Sequence, residues 1–269
     1  MTRQLPPGPR QLAAGQCIRH AIASVRNNIA YAFRISWPWY TVLVPIGIAA
    51  GLLVDYVTGG NAEAHPGAAA PIYLILVIIN LLAFSSIAVN WHRYILLDEV
   101  PQGSELFRLD DKTWRYFGNV LLISLIMVVT SMLIVFPLAF ISSFLNAPVV
   151  LAFIIVAAVL CLAGILFFRL SVKLPSIALG RRDFPLSHAW AATAANNLPL
   201  LFIFLFEIAV VIGALAVMLL ALFVVTSISP MLGVVVGVIL QLLMNWIFTI
   251  FGITILTSLY GFFVENRDF

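Results

Sequence analysis

Four polar side chains lie inside apolar stretches of this sequence, and they are the residues best placed to do chemistry. Glu207 is the one ionisable residue near the middle of such a stretch, and Asn80 lies near the centre of another. Gln241 and Asn245 are four residues apart, a spacing that puts both on one face of a helix. A carboxyl group inside a membrane is costly unless it is neutral, paired or hydrated, so Glu207 marks a candidate site for transport or proton coupling.

Two interpretations of these four residues stay open. They could form one polar cluster along a path through the membrane. They could instead make separate hydrogen bonds between helices, each contributing about 0.6 kcal/mol on average. Because no Lys or Arg lies at a comparable depth, we expect Glu207 to be protonated at pH 7 and bonded to neutral partners such as Gln241 or Asn245.

Six apolar stretches must position these residues, and each is long enough to cross about 30 Å of hydrocarbon. They run over about 37–57, 71–92, 118–141, 147–169, 198–225 and 231–262. The chain is 63% hydrophobic and 9% charged, whereas soluble domains carry about 25% charged residues. The composition therefore predicts an all-α polytopic membrane protein and leaves no length for a separate catalytic domain.

The distribution of basic residues predicts the orientation of the six spans. All fourteen Lys and Arg residues lie before the first span, between spans two and three, between spans four and five, or in the tail. The other three links, near 58–70, 142–146 and 226–230, carry none. The positive-inside rule then places both termini in the cytoplasm, with the basic links against anionic lipid headgroups. The net charge of +3 follows from this topology, so we expect no nucleic-acid partner.

A repeated order of elements predicts three helical hairpins. The segment from His20 to Asn28 matches that from His188 to Asn196 at four of nine positions, and each ends just before a span. Since every hairpin begins and ends on the same side, the repeats would be parallel, related by an axis along the membrane normal. We place the single transmembrane domain at 17–269, after a disordered cytoplasmic segment at 1–16.

An amphipathic helix is predicted before the first span. Its apolar residues recur at spacings of three and four, and they are Ile18, Ile22, Val25, Ile29 and Phe33. Arg19 and Arg26 lie elsewhere on the helical wheel, and Trp37, Trp39 and Tyr40 follow at the entry to the span. A basic helix of this kind is typical of one lying in the membrane interface.

Sequence motifs of catalysis are absent: the chain has no HExxH, GxSxG, P-loop or CxxC pattern. The four histidines have no ligand spacing, and the acidic link at 98–112 fits a solvated, ion-paired connector. We therefore expect no enzymatic activity, no cofactor and no metal.

Three short segments carry a resemblance to a known group of proteins. They run from Asn90 to Pro101 (NWHRYILLDEVP), from Leu174 to Gly180 (LPSIALG) and from Leu186 to Trp190 (LSHAW). The chain resembles the six-span YciC-like proteins of the bacterial inner membrane and, more remotely, the membrane portion attached to some glycerophosphodiester phosphodiesterases. The resemblance implies an all-helical inner-membrane fold without an established activity. No phosphodiesterase domain is present in this sequence, so that activity is not carried over.

Two functions from different classes follow from these observations. The first is a non-catalytic accessory, assembly or envelope-organising component that acts through helix packing and lipid contact, with a membrane-protein partner or as a homo-oligomer. The second is a small permease or channel with a polar path through Glu207, Asn80, Gln241 and Asn245. Convergence of the four side chains on a water-sized cavity would favour the permease, and separate neighbours or lipid contact would favour the accessory component.

Overall fold

The computed structural model describes residues 10–144 and 148–269, which form nine α-helices and one 3₁₀ helix. The long helices are α2 (Ile29–Thr58), α3 (Pro66–Leu97), α4 (Asp111–Phe144), α5 (Val149–Ser171), α8 (Asn197–Ile228) and α9 (Pro230–Phe263). The short ones are α1 (Ala14–Asn27), α6 (Lys173–Ala178), α7 (Leu186–Ala192) and the 3₁₀ helix (Gly103–Phe107). Six helices are long and apolar enough to cross a membrane, so the prediction of an all-α, six-span protein with a short N-terminal helix is confirmed.

The long helices exceed the thickness of the hydrocarbon layer. Helix α3 has 32 residues, which corresponds to about 48 Å at a rise of about 1.5 Å per residue. A bilayer core is about 30 Å thick, so several helical turns project beyond it. We call the end of the bundle where the basic links lie the basic end, and the opposite one the neutral end.

The buried core lies at the basic end. Most side chains from Ala83 to Leu96 in α3 are buried, as are nearly all those from Ile250 to Phe263 in α9. Helix α6 is buried there as well, between α3, α4 and α9. Towards the neutral end the same long helices expose large apolar side chains, as a surface in contact with lipid requires.

The long helices form three hairpins, α2–α3, α4–α5 and α8–α9, and the most extensive contacts are those within each hairpin. Further contacts of α3 with α4, of α5 with α8, and of α3 with α9 close a ring of five helices. Helix α2 packs against α3, outside that ring, and α1 packs against α8 and α9. The parallel symmetry of the hairpins stays a prediction.

The two segments with matching sequence end in the same backbone geometry. Asn28 precedes α2 with φ −121° and ψ 24°, and Asn196 precedes α8 with φ −112° and ψ 24°. Both asparagines therefore turn the chain from a short helix into a long one, which is consistent with a repeated unit.

The N-terminal boundary differs from the expected one. Helix α1 begins at Ala14, so residues 14–16 of the segment predicted as disordered are helical and 10–13 lead into the helix. Residues 1–9 lie outside the described residues. Before α1, the backbone N–H of Leu12 donates to Asn196 Oδ1 at 2.8 Å, and Arg10 donates to the carbonyl of Phe262 at 2.9 Å.

Hydrogen bonds between the basic segments gather them at one end. Arg267 donates to the carbonyl of Leu96 at 3.0 Å and Arg34 to that of Pro101 at 3.2 Å. Arg115 bonds the carbonyl of Arg181 at 3.2 Å. The described basic segments, which are far apart in sequence, therefore share one end of the bundle.

Candidate functional site

Three of the four polar residues singled out in the sequence line one groove on the side of the bundle. Asn80 of α3 and Gln241 and Asn245 of α9 face this groove, and α2 completes its wall. It comprises two adjoining cavities of about 430 and 460 Å³. We call it the amide groove; its central lining residues are Tyr40, Leu43, Val44, Gly47, Ile48, Leu76, Asn80, Val238, Gln241, Leu242 and Asn245.

Two hydrogen bonds join α2 and α9 beside the groove. Tyr40 Oη donates to Asn245 Oδ1 at 2.7 Å. One turn nearer the basic end of α2, the buried Ser36 hydroxyl accepts a bond from Trp246 Nε1 at 2.8 Å. Beyond Tyr40 the α2 wall continues through Gly47 and Ile48, both of which are exposed.

All three amides are exposed to the groove. Asn80 satisfies part of its hydrogen-bonding capacity within α3, because its Nδ2 donates to the carbonyl of Leu76 at 2.8 Å. Asn245 accepts from Tyr40, and this leaves its NH₂ group free to donate elsewhere. The Gln241 side chain is exposed on the same face of α9, one turn towards the neutral end. The groove can therefore supply hydrogen-bond donors and acceptors to a molecule that enters it.

Measured along their helices from the neutral end, the amides lie within a length of about 30 Å, the thickness of a hydrocarbon layer. Asn80 is 14 residues from the start of α3 at Pro66, which is about 21 Å from the neutral end. Asn245 is 15 residues from the start of α9 at Pro230, about 22 Å from the same end. With about 30 Å of hydrocarbon beginning near the neutral end, these amides lie inside it.

Glu207 lies away from the amide groove. It is half-buried on α8, and it lines neither of the two cavities that form the groove. Its neighbour is the short helix α1, which packs against α8 and carries Cys17, whose thiol pKa is raised by burial to about 12. Glu207 is ten residues from the start of α8, so it lies only about 15 Å from the basic end. Along α8, Glu207 therefore lies nearer the basic end than the neutral one.

Tyr40 lines the groove, although its sequence context predicts a different role. Together with Trp37 and Trp39 it fits an aromatic anchor at the membrane interface. The structure turns its hydroxyl to Asn245, 205 residues away in sequence. The sequence does indicate that Tyr40 shares a face of α2 with two glycines. Gly47 and Gly51 follow it at intervals of seven and four residues.

A second polar group is buried in the core at the basic end. His92 Nδ1 lies 2.8 Å from Thr257 Oγ1, and His92 Nε2 lies 3.2 Å from Tyr116 Oη. A neutral imidazole can make both bonds, since one ring nitrogen donates and the other accepts. The partners are 165 and 24 residues from His92, so no local pattern could have indicated this arrangement. Its effect is to join α3, α4 and α9.

The acidic link at 98–112 forms an ion-paired network at the basic end. Glu99 binds Arg93 through both carboxylate oxygens and Arg108 at 2.9 Å. The hydrogen bonds from Arg93 lower the pKa of the Glu99 carboxyl from 4.5 to about 2, with a smaller contribution from Arg108. Arg93 also donates to the carbonyl of Ala178 at 2.9 Å, so the network attaches this link to the buried helix α6.

Buried Arg169 is held by neutral groups. It donates to the carbonyl of Trp190 at 2.8 Å and to Thr193 Oγ1 at 3.3 Å, and its guanidinium lies 3.4 Å from the centroid of the Trp190 ring. These contacts are at the end of α7, where the last carbonyls of a helix favour a cation. Arg169 therefore has a structural role at that helix end.

Comparisons with protein-family models, with curated proteins and with solved structures found no match to this chain. The resemblance to YciC-like proteins accordingly stays an expectation. Six apolar helices of membrane-spanning length, joined into three hairpins, identify the chain as a polytopic membrane protein.

Proposed function

We propose that this protein is a non-catalytic integral membrane component, with an accessory, assembly or envelope-organising role, that binds another membrane component through the amide groove. The observation that carries this proposal is the exposure of Asn80, Gln241 and Asn245 on one groove at the depth of the hydrocarbon layer. Elsewhere the exposed surface of the long helices is dominated by large apolar side chains.

An exposed amide in hydrocarbon is unfavourable unless it finds a hydrogen-bond partner. Transfer of an amide from water to an apolar medium without such a partner costs about 2–7 kcal/mol. Acyl chains have no donors or acceptors, whereas a transmembrane helix with Ser, Thr, Asn or Gln on its surface has both. The proposed ligand of the groove is therefore a polar-faced transmembrane helix, from another membrane protein or from a second copy of this chain.

Photocrosslinking in native membranes tests this function. A photoreactive amino acid is placed at Ile48, which is 61% exposed and lines the groove, and at Phe153 of α5 as the control, which is 71% exposed. We expect a discrete protein adduct from position 48 that is lost when Gln241→Leu and Asn245→Leu are added. An adduct of twice the chain's mass would identify a homo-oligomer. Identical adducts from both positions would contradict the proposal.

A small permease is the second candidate, and the convergence of three amides on one groove is the observation that favours it. Glu207 lies outside both cavities of that groove, so the groove alone does not supply a polar path through all four residues. Proteoliposomes distinguish the two functions. Solute or water flux that exceeds that of protein-free vesicles, and that Asn245→Leu abolishes, would establish the permease.

We place the protein in the bacterial inner membrane with both termini in the cytoplasm. The positive-inside rule and the gathering of the basic segments at one end of the bundle support this orientation. Cysteine substitutions at Gly67, at the neutral end, and at Gln102, at the basic end, test it with a membrane-impermeant reagent. We expect labelling of intact cells at position 67 alone; labelling at position 102 would reverse the topology.

A further inference from the structure

A second groove, separate from the amide groove, runs between α1 and the α8–α9 hairpin. It has a volume of about 500 Å³, and its lining is almost wholly apolar. Helix α1 and the start of α2 contribute Ile22, Val25 and Ile29, and the other wall includes Phe206, Val210 and Phe251. Arg26 is the one charged residue among those lining this groove.

The apolar face of α1 is only partly covered by the protein. Ile18 is buried, but Ile22 and Ile29 on the same face are 46% and 54% exposed. Exposure of apolar surface to water costs about 25 cal/mol per Å². A basic amphipathic helix avoids that cost when it lies in the membrane interface, with its apolar side against acyl chains.

Arg26 gives this groove a preference for negative charge. It lies in the last turn of α1 and is exposed, and none of the ion pairs within the described residues involves it. Arg19, seven residues earlier, is also exposed on the same side of the helix. A guanidinium matches the geometry of a phosphate group, to which it can donate two parallel hydrogen bonds.

We propose that this groove is a binding site for one anionic phospholipid, with an acyl chain against Phe206, Val210 and Phe251 and the headgroup phosphate on Arg26. A phospholipid combines a long apolar chain with a phosphate at the interface, and the groove combines an apolar lining with a cation at the level of the interfacial helix. A neutral transmembrane helix would cover the lining but would leave Arg26 without a counterion.

Native mass spectrometry of the full chain, purified in detergent, tests the lipid class. Dioleoylphosphatidylglycerol and dioleoylphosphatidylcholine are added separately at equal concentrations. We expect one retained phosphatidylglycerol per chain, with affinity about 5-fold above that for phosphatidylcholine, because one basic residue near a membrane surface contributes about 1 kcal/mol. Equal retention of both lipids would overturn the role of Arg26.

Two pairs of variants locate the site. Arg26→Gln should abolish the preference for phosphatidylglycerol, whereas Arg182→Gln, at a side chain that is 79% exposed on the link before α7, should retain it. Val210→Trp should fill the groove and reduce retention of both lipids, while Val217→Trp, two turns further along α8, should not. Circular dichroism confirms that each variant is folded. If Val210→Trp unfolds, the Arg26 pair decides alone, and a preference that survives Arg26→Gln overturns the proposal.

Discussion

The hydroxyl of Tyr40 donates a 2.7 Å hydrogen bond to the side-chain oxygen of Asn245 and thereby links α2 to α9 beside the amide groove. This bond joins an element of the first hairpin to one of the third, and it lies where the two helices begin to enclose the groove. The bond therefore positions a lining residue of the groove and also contributes to the packing of α2 against α9.

Replacement of Tyr40 by Phe should destabilise the protein modestly. Removal of the hydroxyl deletes the bond to Asn245, and hydrogen bonds between membrane helices contribute about 0.6 kcal/mol on average. Tyr73→Phe is the matched control, because Tyr73 lines the same groove and is half exposed. Thermal unfolding in detergent should show a lower Tm for Tyr40→Phe alone. An equal decrease in both variants would mean that loss of a tyrosine hydroxyl in this groove lowers the Tm without the bond to Asn245.

Thr257→Val should be more costly than Thr254→Val. Thr257 bonds both His92 at 2.8 Å and the carbonyl of Ile253, whereas Thr254 bonds only a carbonyl of its own helix, that of Ile250. Loss of the Thr257 hydroxyl leaves a buried ring nitrogen of His92 unsatisfied, which costs about 1–3 kcal/mol. Denaturation of the two variants side by side measures the difference, and equal stabilities would show that the His92 contact contributes nothing.

Gly164→Ala and Gly213→Ala should change stability in opposite directions. A Cβ at Gly164 would lie 2.3 Å from Cγ of Phe204 on α8, whereas at Gly213 it would meet nothing within 4 Å. Overpacking between α5 and α8 should cost about 1–3 kcal/mol. At Gly213 the higher helix propensity of Ala should stabilise by up to about 1 kcal/mol. A Gly164→Ala variant with a higher Tm in detergent than the wild type would contradict the close packing of Gly164 against Phe204.

The ion pairs of Glu99 should make stability depend on pH in the acid range. Its pKa is lowered from 4.5 to about 2 in the folded protein, so the unfolded chain takes up a proton first as pH falls. The stabilisation is complete above pH 4.5 and is lost as pH falls towards 2. Glu99→Gln should therefore flatten the dependence of Tm on pH in this window, whereas Glu63→Gln, at an exposed position in the neutral link, should leave it unchanged. Parallel curves for wild type and Glu99→Gln would refute this assignment.

Glu207→Gln should fold and unfold nearly as the wild type does, within about 0.5 kcal/mol. If the carboxyl is neutral beside α1, an amide of the same shape preserves its interactions. Glu207→Leu should lower the free energy of unfolding by about 1 kcal/mol, because the former hydrogen-bond partner of the carboxyl is left unsatisfied. Thermal stability at pH 7 compares the two variants. A loss of about 3–5 kcal/mol in Glu207→Gln would instead indicate an ionised, paired carboxylate.

Some features of the candidate site could be predicted and others could not. The spacing of Gln241 and Asn245 placed both on one face of α9, and the structure has them on one groove with Asn80. The position of Glu207 along its helix could also be predicted, because the apolar stretch at 198–225 nearly coincides with α8 (Asn197–Ile228). That Glu207 lies away from the amide groove could not be predicted, because an apolar stretch does not show which helices will pack against it.

The sequence by itself determined the class of the protein, its six spans and the side on which its basic residues gather. These properties follow from hydrophobicity and charge, which act on each segment independently because every span must satisfy its own backbone within lipid. Only the tertiary structure decided that Tyr40 meets Asn245, that His92 meets Thr257, and that Glu207 lies next to α1. Those pairings depend on how the hairpins and α1 pack against one another, because they join elements that are far apart in the sequence. No periodicity within a single helix encodes which face of another helix it will meet.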